Sequence, residues 1–538
     1  MRNLLIALIC FIFATTAYCQ IADLSKVRIE DYAAGMDSKD YPDRLPINQG
    51  AYVSNAVINQ KGKISSRLGQ SLFVKDVGGS AWNGIGRFDP SAGLSYLVGA
   101  SGVAVVSALS SDTSWVVRNA GHNLTAGNTT QFIQANNTLF VINGFDNTAW
   151  WDGANWNAGG TWPTSPPTAT TAAWLNNYLF LAGATGNRDW LYISDNLTPT
   201  TFQAQQVVKI NSGDGQAIKR IEPYHVTDLI VYKERSIYDL AFTGTSSTCI
   251  PQPICNWVLT PLTKDIGTIA PRSVVSLGND QWFLSSAPYA IRSVNRTQFD
   301  KIYVNMLSMP IQDIFDGTGT NFTVNTVAIG KSAAIYYDNK YIIAIPVNGS
   351  SVNNLVLVYD MITQGWYLIE GWYPSDWLMF NNNLYYSDAN TGRVLQCFSG
   401  TTGDYGNTSS ASGPSVAVNF QYQSRILDFD NPDNYKNLDS LVFEAFPTGR
   451  YTANIDVNLD NSGWQSAGTI TLSSLAPTLP LPLPFTLYSD GISYNTLQLT
   501  KFGQFKKMQV RVSLNILGGQ IVLQKLTVFS RLLPWRRE

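Results

Sequence analysis

Two histidines in 538 residues leave little room for imidazole chemistry. His122 and His225 stand far apart, each in its own stretch of chain, so neither a histidine dyad nor a histidine metal site is expected. Charge is also scarce. Asp, Glu, Lys and Arg make up 14% of the chain against about 25% in ordinary globular proteins, and the formal net charge is −2. That balance excludes a general attraction to nucleic acid or anionic lipid. Five cysteines are present, and Cys10 and Cys19 fall within the apolar N-terminus. Cys249, Cys255 and Cys397 lack ligand-spaced partners, which argues against zinc. No serine sits in a G-x-S-x-G elbow and no glycine-rich loop precedes a helix. Asp146 and Asp152, around FDNTAWWD, read as turn residues before they read as calcium ligands. No catalytic, cofactor-binding or metal-binding residue can be nominated, and the chain is not expected to be an enzyme.

Glycine (42), Trp (15), Tyr (26) and Phe (24) are plentiful, as in an aromatic-rich, turn-rich β protein. Seven times a small turn residue runs straight into an aromatic or β-branched strand: G93-LSYLV, N137-TLFVI, N177-YLFLA, D228-LIVYK, D280-QWFLS, N339-KYIIAI and N383-LYYSD. The intervals are 44, 40, 51, 52, 59 and 44 residues. One strong strand per period of this length marks radially repeated sheets, none of which buries its apolar face alone. The expected fold is therefore all-β, a β-propeller of six to eight blades. Trp150, Trp151, Trp156, Trp366 and Trp372 are expected to pack between sheets, with sugar binding the alternative for any that is exposed. The extra residues of the 51, 52 and 59 intervals are expected to meet neighbouring subunits.

Residues 1–19 read as a secretory signal peptide or hydrophobic N-terminal segment, with an early Arg, an apolar run and small residues before Gln20. Residues 20–70 form a polar, turn-rich belt lying against something larger, and residues 71–398 hold the propeller. SGTTGDYGNTSSASGP, 399–414, is a Gly/Ser/Thr linker. Beyond it, residues 415–538 alternate apolar and polar positions, as in YTANIDVNL and MQVRVSLNI. They imply a separate C-terminal β-sandwich with a basic tail.

Cys249 and Cys255 flank IPQPI and are a candidate disulfide in an exported chain, leaving Cys397 free. The densest charge in the repeats is YKERSIYDL, 232–240. There Lys233, Glu234 and Arg235 either face a neighbouring subunit or lumen, or cap a solvated hairpin. The N-x-S/T sequons at Asn123, Asn128 and Asn321 read as polar loop composition.

The opening DYAAGMDSKDYPDRLPINQGAYVSNAVINQKGKISSRLG resembles bacteriophage tail structural proteins of the nozzle and hub kind, in which such a lead-in precedes a β-propeller. The likeness continues through AWLNNYLFLAGATGNRDWLYISD, DLIVYKERSIYDL, GTIAPRSVVSLGNDQWFLSSAPYAIRSV and QYQSRILDFDNPDNYKNLDSLVFEA, and covers most of the chain after residue 30. It implies a homo-oligomeric ring in the virion, below portal and adaptor, around the DNA exit channel, offering attachment to fibre or needle proteins. It further implies that Arg67 and Gly69 lie in the packed belt, that Lys233, Glu234 and Arg235 mark a blade edge, and that Lys436 seats the C-terminal domain. The signal-like N-terminus departs from the pattern, because tail proteins assemble in the cytoplasm. That departure keeps membrane contact by the first residues open, along with a secreted carbohydrate- or protein-binding propeller and a secreted glycan-active enzyme that uses two distant carboxylates.

Overall fold

The computed structural model describes residues 24–59, 61–74, 80–91, 93–244, 254–296, 302–400, 403–406, 413–446, 451–472, 493–499 and 501–533. The signal-like segment 1–19 lies outside them.

Seven groups of four antiparallel strands stand around one axis. Blades 1 to 6 cover 82–117, 131–157, 171–209, 218–263, 275–306 and 333–370, and blade 7 joins 374–397 to the strand Gln70–Leu72. Six of these are separate four-stranded sheets, and blade 6 continues into a nine-stranded sheet. The first strand of each blade touches the first strands of its two neighbours, and blade 7 touches blade 1, so the ring is closed. Closure is made by the chain's beginning: Gln70, Ser71 and Leu72 pair with Cys397, Gln396 and Leu395 as the outermost strand of blade 7. The nearly all-β propeller expected from the periodicity is thus present, and the single α-helix among the described residues, Gln312–Asp316, has five residues.

All seven repeated strings occupy the same place, the second strand of their blades: Tyr96–Ser101, Thr138–Ile142, Tyr178–Ala184, Asp228–Lys233, Asp280–Leu284, Lys340–Ile345 and Asn383–Asp388. Such a strand is paired on both edges and covered on both faces by adjacent blades, so it selects an unbroken apolar run; all six residues of Asp228–Lys233 are buried. The residues before it carry the turn. Asn176 and Asn177, Asp338 and Asn339, and Asn381 and Asn382 all have positive φ, the type I′ geometry that matches the twist of a two-residue hairpin.

The core is a set of wedges between blades. Phe88 and Trp151 pack between blades 1 and 2, with rings 5.1 Å apart, and Phe180 and Trp257 pack between blades 3 and 4, 5.0 Å apart. Trp151, Trp366 and Trp372 are buried and Trp150 and Trp156 half-buried, all within the apolar packing or ring contacts of the blades. The wedges of blades 5, 6 and 7 merge with the C-terminal region into one large cluster.

That merger corrects the expected domain limits. Residues 415–538 do not form a unit by themselves, because the N-terminal segment supplies strands to both C-terminal sheets. Gly50–Ser54 lies between blade 6 (Ser54 beside Leu368, parallel) and Phe420–Ser424, and the sheet runs on through Met508–Leu514, Thr452–Leu459 and Trp464–Thr471. The second sheet is built on Lys436–Phe446 and Val522–Leu532 and takes in Leu24–Ile29, Ala56–Ile58 and Ile64–Ser66. The strands Leu24–Ile29, Gly50–Ser54, Ala56–Ile58 and Ile64–Ser66 are therefore part of the C-terminal sheets, Gly50–Ser54 also abutting blade 6, and Gln70–Leu72 is the strand that completes the ring. Within the expected linker 399–414, Gly403 and Asp404 are not free but pair with Ala417 and Val416; residues 401–402 and 407–412 lie outside the described residues. A Cβ on Gly69 would sit 2.0 Å from the Gly403 carbonyl oxygen, so only glycine lets the two backbones meet there.

Candidate functional site

Two cavities lie on the propeller axis: residues of all seven blades line the smaller, and residues of six blades with the turn before blade 5 line the larger. The larger, about 700 Å³, opens where the first strands begin, and the smaller, about 440 Å³, lies further along those strands. Arg272, in the turn Pro271–Ser273 between blades 4 and 5, lines both. Its guanidinium crosses the axis and donates to the carbonyls of Ser375 in blade 7 (2.9 Å) and Thr130 beside blade 2 (3.2 Å). It also reaches the Asn83 carbonyl in blade 1, and Nε stands 3.9 Å from Asp376. Burial disfavours its charge, with Asp376 opposing that effect. Close approach of blades 1 and 2 is required at this level, since a Cβ on Gly84 would lie 2.0 Å from the Thr130 oxygen. Arg272 therefore plugs the axis and separates two vestibules.

The larger vestibule has a single sign of charge. Arg188, Lys219, Lys331 and Arg272 line it, among Asn, Thr, Ser and Gly, and no carboxylate does. Lys219 is held by Glu234 at 3.2 Å and Lys331 by the Ser351 carbonyl at 2.8 Å. The smaller vestibule is mixed, with the Arg220–Glu222 pair (2.6 Å) and Asp376.

The residues singled out in the sequence are distributed differently from the blade-edge expectation. Lys233 is fully buried, and its Nζ donates to both Asp214 oxygens at 2.7 Å and to the Ile210 carbonyl at 2.9 Å. It ties blade 4 to the 210–214 connection that follows blade 3, and being enclosed it does not face a neighbouring subunit. Glu234 steadies a vestibule lysine, and Arg235 is exposed, its amide donating to Gln216 Oε1. Arg67 is buried as well. Its five N–H groups reach five acceptors: Asn55 Oδ1, the carbonyls of Leu68 and Glu370, and both oxygens of Asp404, while its plane lies 4.5 Å over Trp372. Arg67 thus joins belt, blade 6 and the 403–404 strand as an internal clamp rather than a contact surface. Lys436 is buried and donates to the carbonyls of Asn431, Asn434 and Lys506, tying two C-terminal loops together.

Asp146 accepts from the amide and hydroxyl of Thr125 and from Asn143, and Asp152 accepts from the amides of Ala154 and Asn155, so both fasten turns. Among the described residues no group of three or more His, Cys, Asp or Glu is placed to hold a metal ion. Cys255 is disulfide-bonded, Cys249 lies outside the described residues, and Cys397 is a buried free thiol. No described helix is long and apolar enough to cross a membrane. The 59-residue interval is used internally: Ser38 donates to Asp313 Oδ1 and to the Pro310 carbonyl, and Trp366 Nε1 donates to the Leu307 carbonyl.

The Lys233–Asp214 pair predicts a pH effect. Burial works against the Asp214 charge, but the bonds from Lys233, the Gln216 amide and Asn211 outweigh it and hold the carboxyl below its usual range. The folded state then binds this proton less readily than the unfolded chain does. Its stabilising contribution is complete above the unfolded carboxyl value, about 4, and is lost as pH falls through the lower folded value. Asp214→Asn is expected to lower the melting temperature at neutral pH and to converge on the parent protein in strong acid. Thermal melts across the acid range check this; a constant offset would contradict it.

Sequence reasoning did not find Arg272, Arg188, Lys219 or Lys331. They are single cations in four different repeats, and only ring closure brings them to one axis.

No family model matches the chain and no curated protein does. Solved structures with distant likeness include the WD40 domain of Neurospora crassa Pan2, at 8% identity over 62% of this chain and 95% of that one, with a TM-score of 0.36. YCF48 bound to D1 peptide is similar at 10% over 64% and 97%, with a TM-score of 0.37. The computationally designed Ika8 protein is similar at 10% over 61% and 99%, with a TM-score of 0.35. None of them transfers a ligand or a partner to this chain.

Proposed function

We propose that the chain is a non-catalytic structural subunit of a short phage tail, a nozzle or hub protomer that repeats as a homo-oligomeric ring around the DNA exit channel and docks portal or adaptor and fibre or needle proteins. The observation that carries this reading is where the family-like segments fall. The opening string supplies Gly50–Ser54 and Arg67, and QYQSRILDF supplies most of the strand Phe420–Ser424 that pairs with it. Together they weld blade 6 to the C-terminal sheets. A load-transmitting subunit needs its two parts fixed, and a sheet continued from one into the other does that. The Arg272 plug adds a constraint: DNA would pass between protomers, never through a propeller axis.

Electron microscopy of purified particles and of the isolated chain tests the assembly. Rings of this protein at the tail tip are expected. Recovery of a chain beginning at Gln20 only from particle-free medium would overturn the proposal. The disulfide at Cys255 favours one second reading, a secreted binding propeller, because such bonds persist in oxidising compartments.

A further inference from the structure

We propose that the larger vestibule is a binding site for an acidic sugar, a hydroxylated ring of pyranose size that bears a carboxylate. The inference does not depend on what assembly the chain enters. A cavity of about 700 Å³ falls in the size range of small-molecule sites, roughly 300–1,000 Å³. Its charge favours an anion: no carboxylate lines it, and Arg188 and Lys331 contribute to the wall together with Lys219 and Arg272, whose charges Glu234 and Asp376 partly offset from outside it. Arg188 is exposed and has no charged partner among the described residues, so its planar fork is available for a bidentate carboxylate.

Charge alone would suit inorganic phosphate equally well. Asn353 asks in addition for a donor. This wall residue is buried, and its Nδ2 is committed to the carbonyls of Lys331 (2.9 Å) and Pro374 (2.8 Å). Its Oδ1 has no partner. A buried carbonyl oxygen needs a donor, and a sugar hydroxyl provides one. The P–OH of hydrogen phosphate can do the same, so the choice between the two rests on the size of the cavity and on the apolar ring of Phe145. Trp82, also in the wall, presents the complement, an indole N–H without a partner that suits a sugar oxygen.

Phe145 supplies the third element. It lines the same vestibule and is 70% exposed, a large apolar ring left in water. The turn beneath it is rigid: Asn143 Oδ1 accepts from the amides of Phe145 (3.0 Å) and Asp146 (2.9 Å), and Asp146 is anchored by Thr125. A fixed aromatic face is a platform for the C–H face of a sugar ring, and the ordering cost of binding is already met.

Titration calorimetry of the full chain with D-glucuronate, D-glucose and inorganic phosphate tests the site. Glucuronate is expected to bind, with glucose weaker by roughly tenfold or more for want of the charge-assisted contacts and phosphate weaker by about threefold to tenfold for want of a ring to stack on Phe145. Arg188→Ala should weaken glucuronate by roughly tenfold and Phe145→Ala by about threefold to tenfold. Both residues are exposed, so the variants should keep the parent melting temperature. Phosphate binding as tight as glucuronate, glucose binding as tight as glucuronate, or unchanged affinity in both variants would each overturn the proposal.

Discussion

Replacing Asp404 with alanine is expected to cost about 3–5 kcal/mol of unfolding free energy, the usual penalty for leaving one partner of a buried ion pair alone. The Arg67 and Asp404 side chains are 0% and 5% exposed, so water cannot take the place of the lost carboxylate. Two of the five guanidinium donors lose their acceptors, and the Trp372 indole loses the bond it donates to Asp404 Oδ1 at 3.2 Å. The damage should be directional. Arg67 also holds Asn55, whose Oδ1 accepts from the Glu370 amide, so the seam between blade 6 and the N-terminal segment should loosen before the blades on the far side of the ring. Chemical denaturation measures the size of the effect, and hydrogen exchange at residues 50–55 and 366–370 measures its location. A paired Arg67→Leu, Asp404→Leu variant should recover much of the loss, because replacing both charges removes the stranded one. A loss below about 1 kcal/mol, the level of a solvent-screened surface pair, would mean that the seam is hydrated.

Removing the axial plug is expected to have the next largest effect. Arg272→Ala takes a charged donor from three carbonyls in three blades, Asn83, Thr130 and Ser375. Hydrogen bonds to charged groups are each worth about 1.5–3 kcal/mol, but water from both vestibules can satisfy part of what is exposed, so a net loss of about 2–3 kcal/mol is expected. Arg272→Lys should restore little of it, because an ammonium is a point donor and the three carbonyls diverge around a planar fork. Denaturant titration of the two variants decides the point. Full recovery by lysine would show that charge, and not the shape of the fork, holds the axis.

How much of this was legible in the sequence depends on the range of the contacts involved. The blade strands were legible because their signal is local: Asn176-Asn177 makes the turn, and Tyr178–Ala184 is apolar on both faces since blades cover both. Inner strands gave no such signal, because they face the axis and alternate with polar residues. The C-terminal strands were equally readable, with alternate residues of Thr452–Leu459 turned inward. The clamp and the vestibules were not. Arg67 and Asp404 are more than 300 residues apart in the chain, and Lys233 looks in sequence like an ordinary charged hairpin end. Burial of a lysine depends on an acceptor such as Asp214 arriving from the turn between blades 3 and 4, and nothing in YKERSIYDL announces it. Phe145 is an aromatic in an Asn/Asp-rich turn, and its exposure is a property of the assembled rim.

The strand Gln70–Leu72 sets the order of events during synthesis. It leaves the ribosome before any blade, yet its only ladder is with Val394–Cys397, in the last blade to emerge. Gly50–Ser54 waits for the same interval, until both Trp366–Glu370 and Phe420–Ser424 exist. Leu24–Ile29 and the outer edge of Ile64–Ser66 wait longer still, for Val522–Leu532, so nascent chains carry several unpaired strand edges through most of translation, a state open to pairing with the wrong partner. A product truncated before Phe420–Ser424 would keep that edge of Gly50–Ser54 unpaired.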